Sequence, residues 1–285
     1  MLAAVSLAGQ SLTVRLSTQS YSVTTVVGTM FAVNLVLLAP VVGAIYYPRY
    51  GLTPTSVGAF AVGGILGSLL ARFYLFVGIE RLGASRTEPL KSLFPLVALV
   101  AAVVLLGETL SATVVVGTIV LLAGVVGVTW ESKTSAETVS GRALWIAMAF
   151  PLSAAVLLGI DPVFIRIGLS EGTPPLVGTT VRVAAAAGGF LCYLGWRRLR
   201  GTPLEAFALN RWIIAASLCN TLYLVAYLLA LGMAPISVVA PILGATPLIV
   251  VLGGAILTPD IERVTPKLVA SVVVVVVGVV LVVSG

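Results

Sequence analysis

Two charged side chains stand inside long apolar runs of the sequence. Asp161 occurs in Gly-Ile-Asp161-Pro162, and Arg182 occurs in Thr-Val-Arg182-Val. If these runs cross a membrane, each lone charge costs at least about 2.5 kcal/mol, so such residues pair with each other or serve a substrate or ion pathway. We therefore expect either a structural ion pair between Asp161 and Arg182 or a substrate or proton role for one of them.

Two further cations lie near the ends of apolar runs. Arg72 is near the end of the third run, and Lys91 follows Pro89 by two residues. Either cation could present positive charge to an anionic or zwitterionic substrate. Long basic side chains also extend from apolar segments to lipid headgroups, and that interpretation remains open for both.

Uncharged polar and aromatic side chains also interrupt the apolar runs. Tyr74, Tyr223 and Tyr227 lie on the third and eighth runs, where they could line a pocket or pack in the interfacial belt. Asn34, Gln10 and Asn220 could hydrogen-bond between helices or contact a substrate.

A Pro-x5-Pro pattern occurs twice. It comprises Pro89 and Pro95, then Pro241 and Pro247, and both pairs are 152 residues apart, since 241 − 89 and 247 − 95 give the same difference. Proline removes a helical hydrogen bond, so these residues predict helix breaks in the fourth and ninth runs where backbone carbonyls could face a cavity. They are candidate gating residues, and the alternative is that they only shape packing.

Enzymatic chemistry is not indicated by the sequence. The chain contains no histidine, and its two cysteines, Cys192 and Cys219, lie in apolar runs rather than in metal-ligand clusters. No Gly-rich phosphate loop, paired intramembrane acidic motif or Ser/His dyad is present. We expect no catalytic residues, no metal and no cofactor, and any proton coupling would use a carboxylate.

Composition places the chain in a lipid bilayer. Hydrophobic residues make up 59% and charged residues 9% of its 285 residues, and the mean hydropathy is +1.16. Because a spanning helix needs roughly 20 apolar residues, about ten spans fit. The net charge of +6 reflects basic residues between apolar segments, which favours topology control over nucleic-acid binding.

The predicted fold is an all-α polytopic membrane protein with about ten transmembrane helices. Gly, Pro and charged residues divide the chain into spans at 1–16, 23–47, 55–79, 86–106, 111–130, 143–168, 174–196, 210–231, 235–257 and 266–284. The polar stretch 131–142 is the predicted linker between a first five-helix repeat at 1–130 and a second at 143–285.

Alignment of the two halves supports the duplication. Ala3-Ala4-Val5 and Arg15 match Ala154-Ala155-Val156 and Arg166 at an offset of 151, and Glu108 and Gly124 match Glu262 and Gly278 at 154. An odd number of spans in each half makes the repeats inverted. The first span is about ten residues shorter than its counterpart, so we expect either an upstream start or a short helix that thins the bilayer.

The stretch 73–128 resembles the EamA-type domain of the drug/metabolite transporter superfamily. The resemblance rests on the Glu-Arg-Leu-Gly-Ala-Ser turn at 80–85, the first Pro-x5-Pro pair, Gly107-Glu108 followed by Ser111, and Gly117 with Gly124. The second half is similar through Met233-Ala-Pro-Ile-Ser237, the second proline pair and Glu262-Arg-Val-Thr265. The chain departs from the family pattern in its short first span, in an insertion near 258–260 and in the sparse charge around Arg49.

The resemblance implies a ten-helix secondary transporter with a central substrate cavity and cytoplasmic termini, whereas the distribution of basic residues places both termini outside. We predict an exporter of small metabolites such as amino acids or related compounds, in the cell membrane, working by alternating access. Its expected partners are the lipid bilayer, a small-molecule substrate and, as an open alternative, protons. A non-transporting membrane scaffold with the same fold is the competing prediction, and monomer and dimer both remain open.

Overall fold

The described part of the chain consists of helices joined by short turns and irregular segments. The computed structural model describes residues 1–18, 20–82, 90–131, 142–201, 208–246, 249 and 266–285, and these ranges contain no β-strand. The helices are α1 (Leu2–Ser17), α2 (Val23–Tyr46), α3 (Pro54–Gly63), a π-helical segment (Gly64–Leu70), α4 (Ala71–Leu82), α5 (Phe94–Leu106), α6 (Ala112–Glu131), α7 (Arg142–Ser170), α8 (Pro175–Leu199), α9 (Arg211–Met233), α10 (Ile236–Gly244) and α11 (Pro266–Ser284). The predicted all-α architecture is confirmed.

Five helical segments of the described chain are long and apolar enough to cross a membrane: Val23–Tyr46, Pro54–Leu75, Trp145–Ser170, Pro175–Leu199 and Arg211–Met233. Shorter apolar helices occur at Leu2–Val14, Phe94–Leu106, Ala112–Gly127 and Val273–Ser284. These positions follow the predicted spans because the hydrophobic length needed to cross lipid is itself visible in the sequence.

The third span is one continuous helix that changes from α-helical to π-helical and back to α-helical geometry. It starts with a capping box, in which the Thr53 hydroxyl accepts from the Ser56 backbone N–H and Pro54 occupies the first turn. The winding becomes π-helical at Gly64, where an added Cβ would collide with the backbone carbonyl of Arg182 on α8. Glycine is therefore required for the close approach of the two backbones, and π-helical turns are frequent at functional sites.

The chain divides into two compact units, which we call unit A and unit B. Unit A comprises 2–69 and 164–233, and unit B comprises 70–163 and 234–285 together with Met1. Each unit contains segments from both sequence halves. The boundaries of the two compact units therefore differ from the boundaries of the two sequence repeats.

Unit A is built around α1, α2, α3, α8 and α9. Val26 and Met30 of α2 form a buried cluster with Ile213 and Ala216 of α9. The Phe60 ring of α3 packs against two glycines, since a Cβ at Gly168 or at Gly178 would lie 2.5 Å from the ring Cζ. Small residues allow helices to approach closely in a membrane, and the ring fills the space that they leave.

Unit B is centred on the contact between α6 and α11. A Cβ at Gly124 would lie 2.7 Å from the Val275 backbone nitrogen, and a Cβ at Gly278 would lie 2.5 Å from the Leu121 nitrogen. Because 124 and 278, and likewise 121 and 275, are equivalent at the offset of 154, the two contacts are the same contact exchanged between repeats. Reciprocal contacts of this kind are the mark of two-fold symmetry.

A second pair of contacts gives the direction of the two helices. Gly117 faces Leu281, with 2.8 Å between a built Cβ and the Leu281 Cβ, and Gly127 faces the Ser271 hydroxyl at 2.5 Å. Numbers rise along α6 while they fall along α11, so these equivalent helices run antiparallel. The predicted inverted relation of the repeats is directly visible in this contact.

Candidate functional site

The two proline patterns mark helix breaks at equivalent places in unit B. Leu93, which precedes Pro95 by two residues, has φ −75° and ψ −8°, and Ala245 has φ −78° and ψ −4°. The Leu93 N–H donates to Leu90 O and the Ala245 N–H donates to Ile242 O, both at 3.3 Å. Each helix thus tightens into a turn at the same position of its repeat.

The individual prolines occupy different places relative to these breaks. Pro95 lies in the first turn of α5, where its missing N–H leaves no helical bond unmade, whereas Pro241 lies inside α10. Pro89 and Pro247 lie outside the described residues. A gating role for any of the four stays a prediction.

Glu108 connects the first repeat to the second within unit B. Gly107 ends α5 with φ 66°, a left-handed conformation that favours glycine, and the next residue leaves the helix. The Glu108 carboxylate then accepts from the Ile236 N–H at 3.0 Å through Oε1 and from the Ser237 N–H at 3.2 Å through Oε2. It supplies the cap for α10 that Pro235 cannot, and its charge is favourable at a helix N-terminus.

The two buried charges of the sequence fall in different units. Asp161 of α7 is 4% exposed and belongs to unit B, and Arg182 of α8 is 2% exposed and belongs to unit A. Pro162 follows Asp161 and has no N–H for the Leu158 carbonyl one turn earlier, which loosens the backbone beside the carboxylate. Charges buried this deeply in a membrane helix indicate a function or a partner, and the choice between them stays a prediction.

The Arg182 backbone adjoins the winding change in unit A. Its carbonyl lies against Gly64, the first residue of the π-helical segment. A side chain at residue 64 would push α8 away and move the arginine with it. The position of Arg182 therefore depends on Gly64 having no side chain.

An open cavity of about 520 Å³ in unit B contains one of the predicted residues. Tyr74 of α4 lines it with five residues of α7: Ala149, Leu152, Ser153, Val156 and Leu157. The Tyr74 ring lies 6.1 Å from the Phe150 ring, over which the Arg81 guanidinium stacks at 4.6 Å. The cavity is mainly apolar, with a phenol and one hydroxyl as its polar groups.

The other two predicted cations lie near the ends of helices in unit B. Arg72 is in the first turn of α4 and Lys91 precedes the break at Leu93, and both are half-buried. Half-burial is compatible with a substrate role and with extension to headgroups, so both interpretations stay open.

Asn34 and Asn220 meet each other inside unit A. The hydrogen-bonding network orients the Asn34 amide so that its oxygen accepts from Asn220 Nδ2 at 2.8 Å. Its nitrogen donates to Thr221 Oγ1 at 2.8 Å, and the Thr221 hydroxyl donates to Ser217 O at 3.0 Å. This closed network joins α2 to α9 and supports the interpretation of both asparagines as helix-connecting residues.

Tyr227 is also in the interior of unit A. It is buried, and its ring stacks on that of Tyr223 one turn earlier, with centroids 5.6 Å apart and an interplanar angle of 10°. The stacked rings lie on one face of α9, and the choice between packing and lining a pocket stays a prediction.

Gln10 differs from the asparagines. It is 9% exposed on α1, and its side-chain oxygen Oε1 has no hydrogen-bond partner within the described part of the chain. Sequence reasoning grouped all three amides together, because neither their neighbours nor their spacing shows which of them find one another.

Comparison with known proteins covers nearly the whole chain. The sequence model of the EamA-like transporter family matches twice, at residues 1–130 and 144–284. A solved structure described only as a crystal structure of a protein has the same fold, with a TM-score of 0.77 and 16% identity over 98% of this chain and 93% of the other. No curated protein matches the chain.

Proposed function

Because the chain belongs to the EamA-like transporter family, we propose that it is a secondary transporter that exports small metabolites such as amino acids or related compounds. The helices identify an integral membrane protein, and the proposed location is the cell membrane. No ATP-binding motif occurs in the sequence, so a gradient of substrate or ions drives the transport.

The observation that carries the proposal is the reciprocal contact of α6 and α11. Two-fold exchange between antiparallel, equivalent helices is what inverted repeats require, and inverted repeats allow one set of contacts to be used in two mirrored states. The matched breaks at Leu93 and Ala245 supply equivalent points in the two repeats where a helix could bend. Alternating access is therefore the proposed mechanism.

The buried charges are candidates for the substrate pathway, each within its own unit. Asp161 carries a carboxylate and Arg182 carries a guanidinium, and both are almost fully removed from the surface. Charged side chains in membrane helices are costly and often serve a substrate or ion pathway. Charged and zwitterionic solutes are for this reason the first substrates to test.

The direct test is a counterflow assay with the purified chain in liposomes. Vesicles are loaded with the twenty proteinogenic L-amino acids, and exchange against each labelled amino acid is measured with and without an imposed pH gradient. Uptake of at least one amino acid above protein-free liposomes is the expected result. Stimulation by a gradient of one sign would add proton coupling.

If no amino acid is exchanged, the proposed substrate class is wrong. If a folded and monodisperse protein also exchanges none of a broader set of small metabolites, the result would favour a membrane scaffold. The orientation of the protein in the vesicles, determined by protease accessibility of the 131–142 linker, assigns the direction of transport.

A further inference from the structure

We propose that Gln10 is a substrate-binding residue, whose side-chain oxygen accepts a hydrogen bond from the transported solute. The inference rests on the proposed transport function and adds a residue to it. The ligand class is a small solute that presents a hydrogen-bond donor, such as an ammonium or hydroxyl group.

The first observation is the state of the Gln10 amide. The side chain is nine-tenths buried on α1, and Oε1 has no hydrogen-bond partner among the residues that the structure describes. Buried polar groups in folded proteins are almost always hydrogen-bonded, and a buried acceptor without a partner is costly. In a membrane segment the cost is greater, because the hydrocarbon offers no water to replace the missing donor.

The contrast with Asn34 shows that this chain satisfies its structural amides. Asn34 and Asn220 donate and accept within one closed network between α2 and α9. That network belongs to the same unit as Gln10. An amide that only connects helices would be expected to have hydrogen-bond partners for its side-chain oxygen, as Asn34 has, and the Gln10 oxygen has none among the described residues.

The second observation comes from the duplication. Gln10 is equivalent to Asp161, because 161 − 10 gives the same offset of 151 that relates Ala3 to Ala154 and Arg15 to Arg166. Both members of this pair are buried side chains with oxygen acceptors. The two repeats therefore place an acceptor at the same position of their first helices, one neutral and one anionic.

A neutral acceptor selects for a donor without requiring a charge. A site built to hydrogen-bond a substrate group discriminates against analogues that lack the group, because the acceptor is then left unpaired.

The test separates a binding role from a structural one. Gln10→Met preserves the shape of the side chain and removes the acceptor, and Gln10→Glu retains an acceptor oxygen. The probe is whichever proteinogenic L-amino acid the wild-type protein exchanges in counterflow. We expect Gln10→Met to raise KM about tenfold, with the maximal rate within about twofold of wild type, and Gln10→Glu to keep KM within about threefold.

A stability measurement provides the second readout. Removing a buried acceptor that has no partner should leave the melting temperature in detergent unchanged or about 2 °C higher. A lower melting temperature for Gln10→Met together with an unchanged KM would overturn the proposal in favour of a structural role. A higher melting temperature with an unchanged KM would also overturn it, since the solute would then bind without using the acceptor.

The control is Asn34→Leu, which should lower the melting temperature because it removes the hydrogen bonds that Asn34 makes with Asn220 and Thr221. Absence of exchange in the wild-type protein would contradict the proposed function, whereas normal exchange by both Gln10 variants would contradict only the role of Gln10.

Discussion

Leu93 and Ala245 share one backbone conformation although 152 residues separate them, with φ and ψ of −75° and −8° in the first and −78° and −4° in the second. Each lies two residues before the second proline of its pattern. The same tight turn therefore occurs at the same place in both repeats. The breaks are therefore properties of the repeat and not accidents of one helix.

Replacing the proline inside α10 should slow transport. In Pro241→Ala, the new N–H can bond to the Ser237 carbonyl one turn earlier, and α10 stiffens. We expect the exchange rate to fall about tenfold, equivalent to about 1.4 kcal/mol on the barrier, while thermal stability stays the same or rises. Exchange is measured in proteoliposomes.

Pro54→Ala is the matched control for Pro241→Ala. Pro54 lies at the first turn of α3, where proline breaks no helical bond, so this variant should transport normally. Unchanged transport by Pro241→Ala would remove the gating role of Pro241.

The Glu108 carboxylate should contribute measurably to stability. Glu108→Ala leaves the Ile236 and Ser237 N–H groups of α10 without this acceptor, and a loss of about 1–3 kcal/mol is expected. Glu108→Gln keeps one acceptor oxygen and should lose less. Thermal unfolding in detergent measures both, with Thr109→Ala, an exposed neighbour, as the control.

The contact between α6 and α11 should respond alike to equivalent substitutions. A methyl group at Gly124 or at Gly278 meets backbone atoms within 2.7 Å, so Gly124→Ala and Gly278→Ala must each push the helices apart. Each should cost about 1–3 kcal/mol. Gly188 of α8 has no atom within 4 Å of a built Cβ, and Gly188→Ala should stabilise by up to about 1 kcal/mol. A large difference between the two equivalent variants would argue against a shared interface.

The asparagine network should show coupling in a double-mutant cycle. Asn34→Leu removes the acceptor of the Asn220 Nδ2 group, and Asn220→Leu removes the donor to the Asn34 amide oxygen, so the double variant should be more stable than the sum of the single effects predicts. Interhelical hydrogen bonds in membranes are worth about 0.6 kcal/mol on average, with a maximum near 1.7 kcal/mol. Equilibrium unfolding in mixed micelles measures the coupling, and a value of zero would mean that the two amides do not interact.

Asp161 can be tested as the coupling acid without knowledge of its partners. Asp161→Asn retains the shape and loses the titration, so a proton-coupled protein should keep exchange but lose its response to a pH gradient. Glu171, an exposed carboxylate after α7 that accepts from the Thr53 hydroxyl at 2.9 Å, is the control as Glu171→Gln. Full pH dependence in Asp161→Asn would exclude this residue from coupling.

The sequence was sufficient to predict the helices and their inversion. Bilayer thickness sets the length of apolar runs, which is why α2 and α9 begin and end within about two residues of the predicted spans. Pairing between helices follows different rules. Asn34 and Asn220 are 186 positions apart in the sequence, and their contact depends on how α2 and α9 dock, which hydropathy does not encode.

The same limit applies to Glu108 and Gln10. The Gly107-Glu108 dipeptide signals a helix end, but nothing local identifies α10 as the helix that the carboxylate caps. For Gln10 the informative feature is a missing partner, which only a three-dimensional arrangement can reveal.

The self-complementary surface between α6 and α11 also has an evolutionary consequence. A surface that fits an inverted copy of itself must, while the copies are identical, accept every mutation twice. Joining the copies in one chain ends that constraint, so each side can drift alone. Positions 124 and 278 are both glycine, whereas the equivalent positions 117 and 271 are glycine and serine. The interface thus accepts a difference between its two halves at 117 and 271, while the backbone contacts at 124 and 278 leave no room for a side chain on either helix.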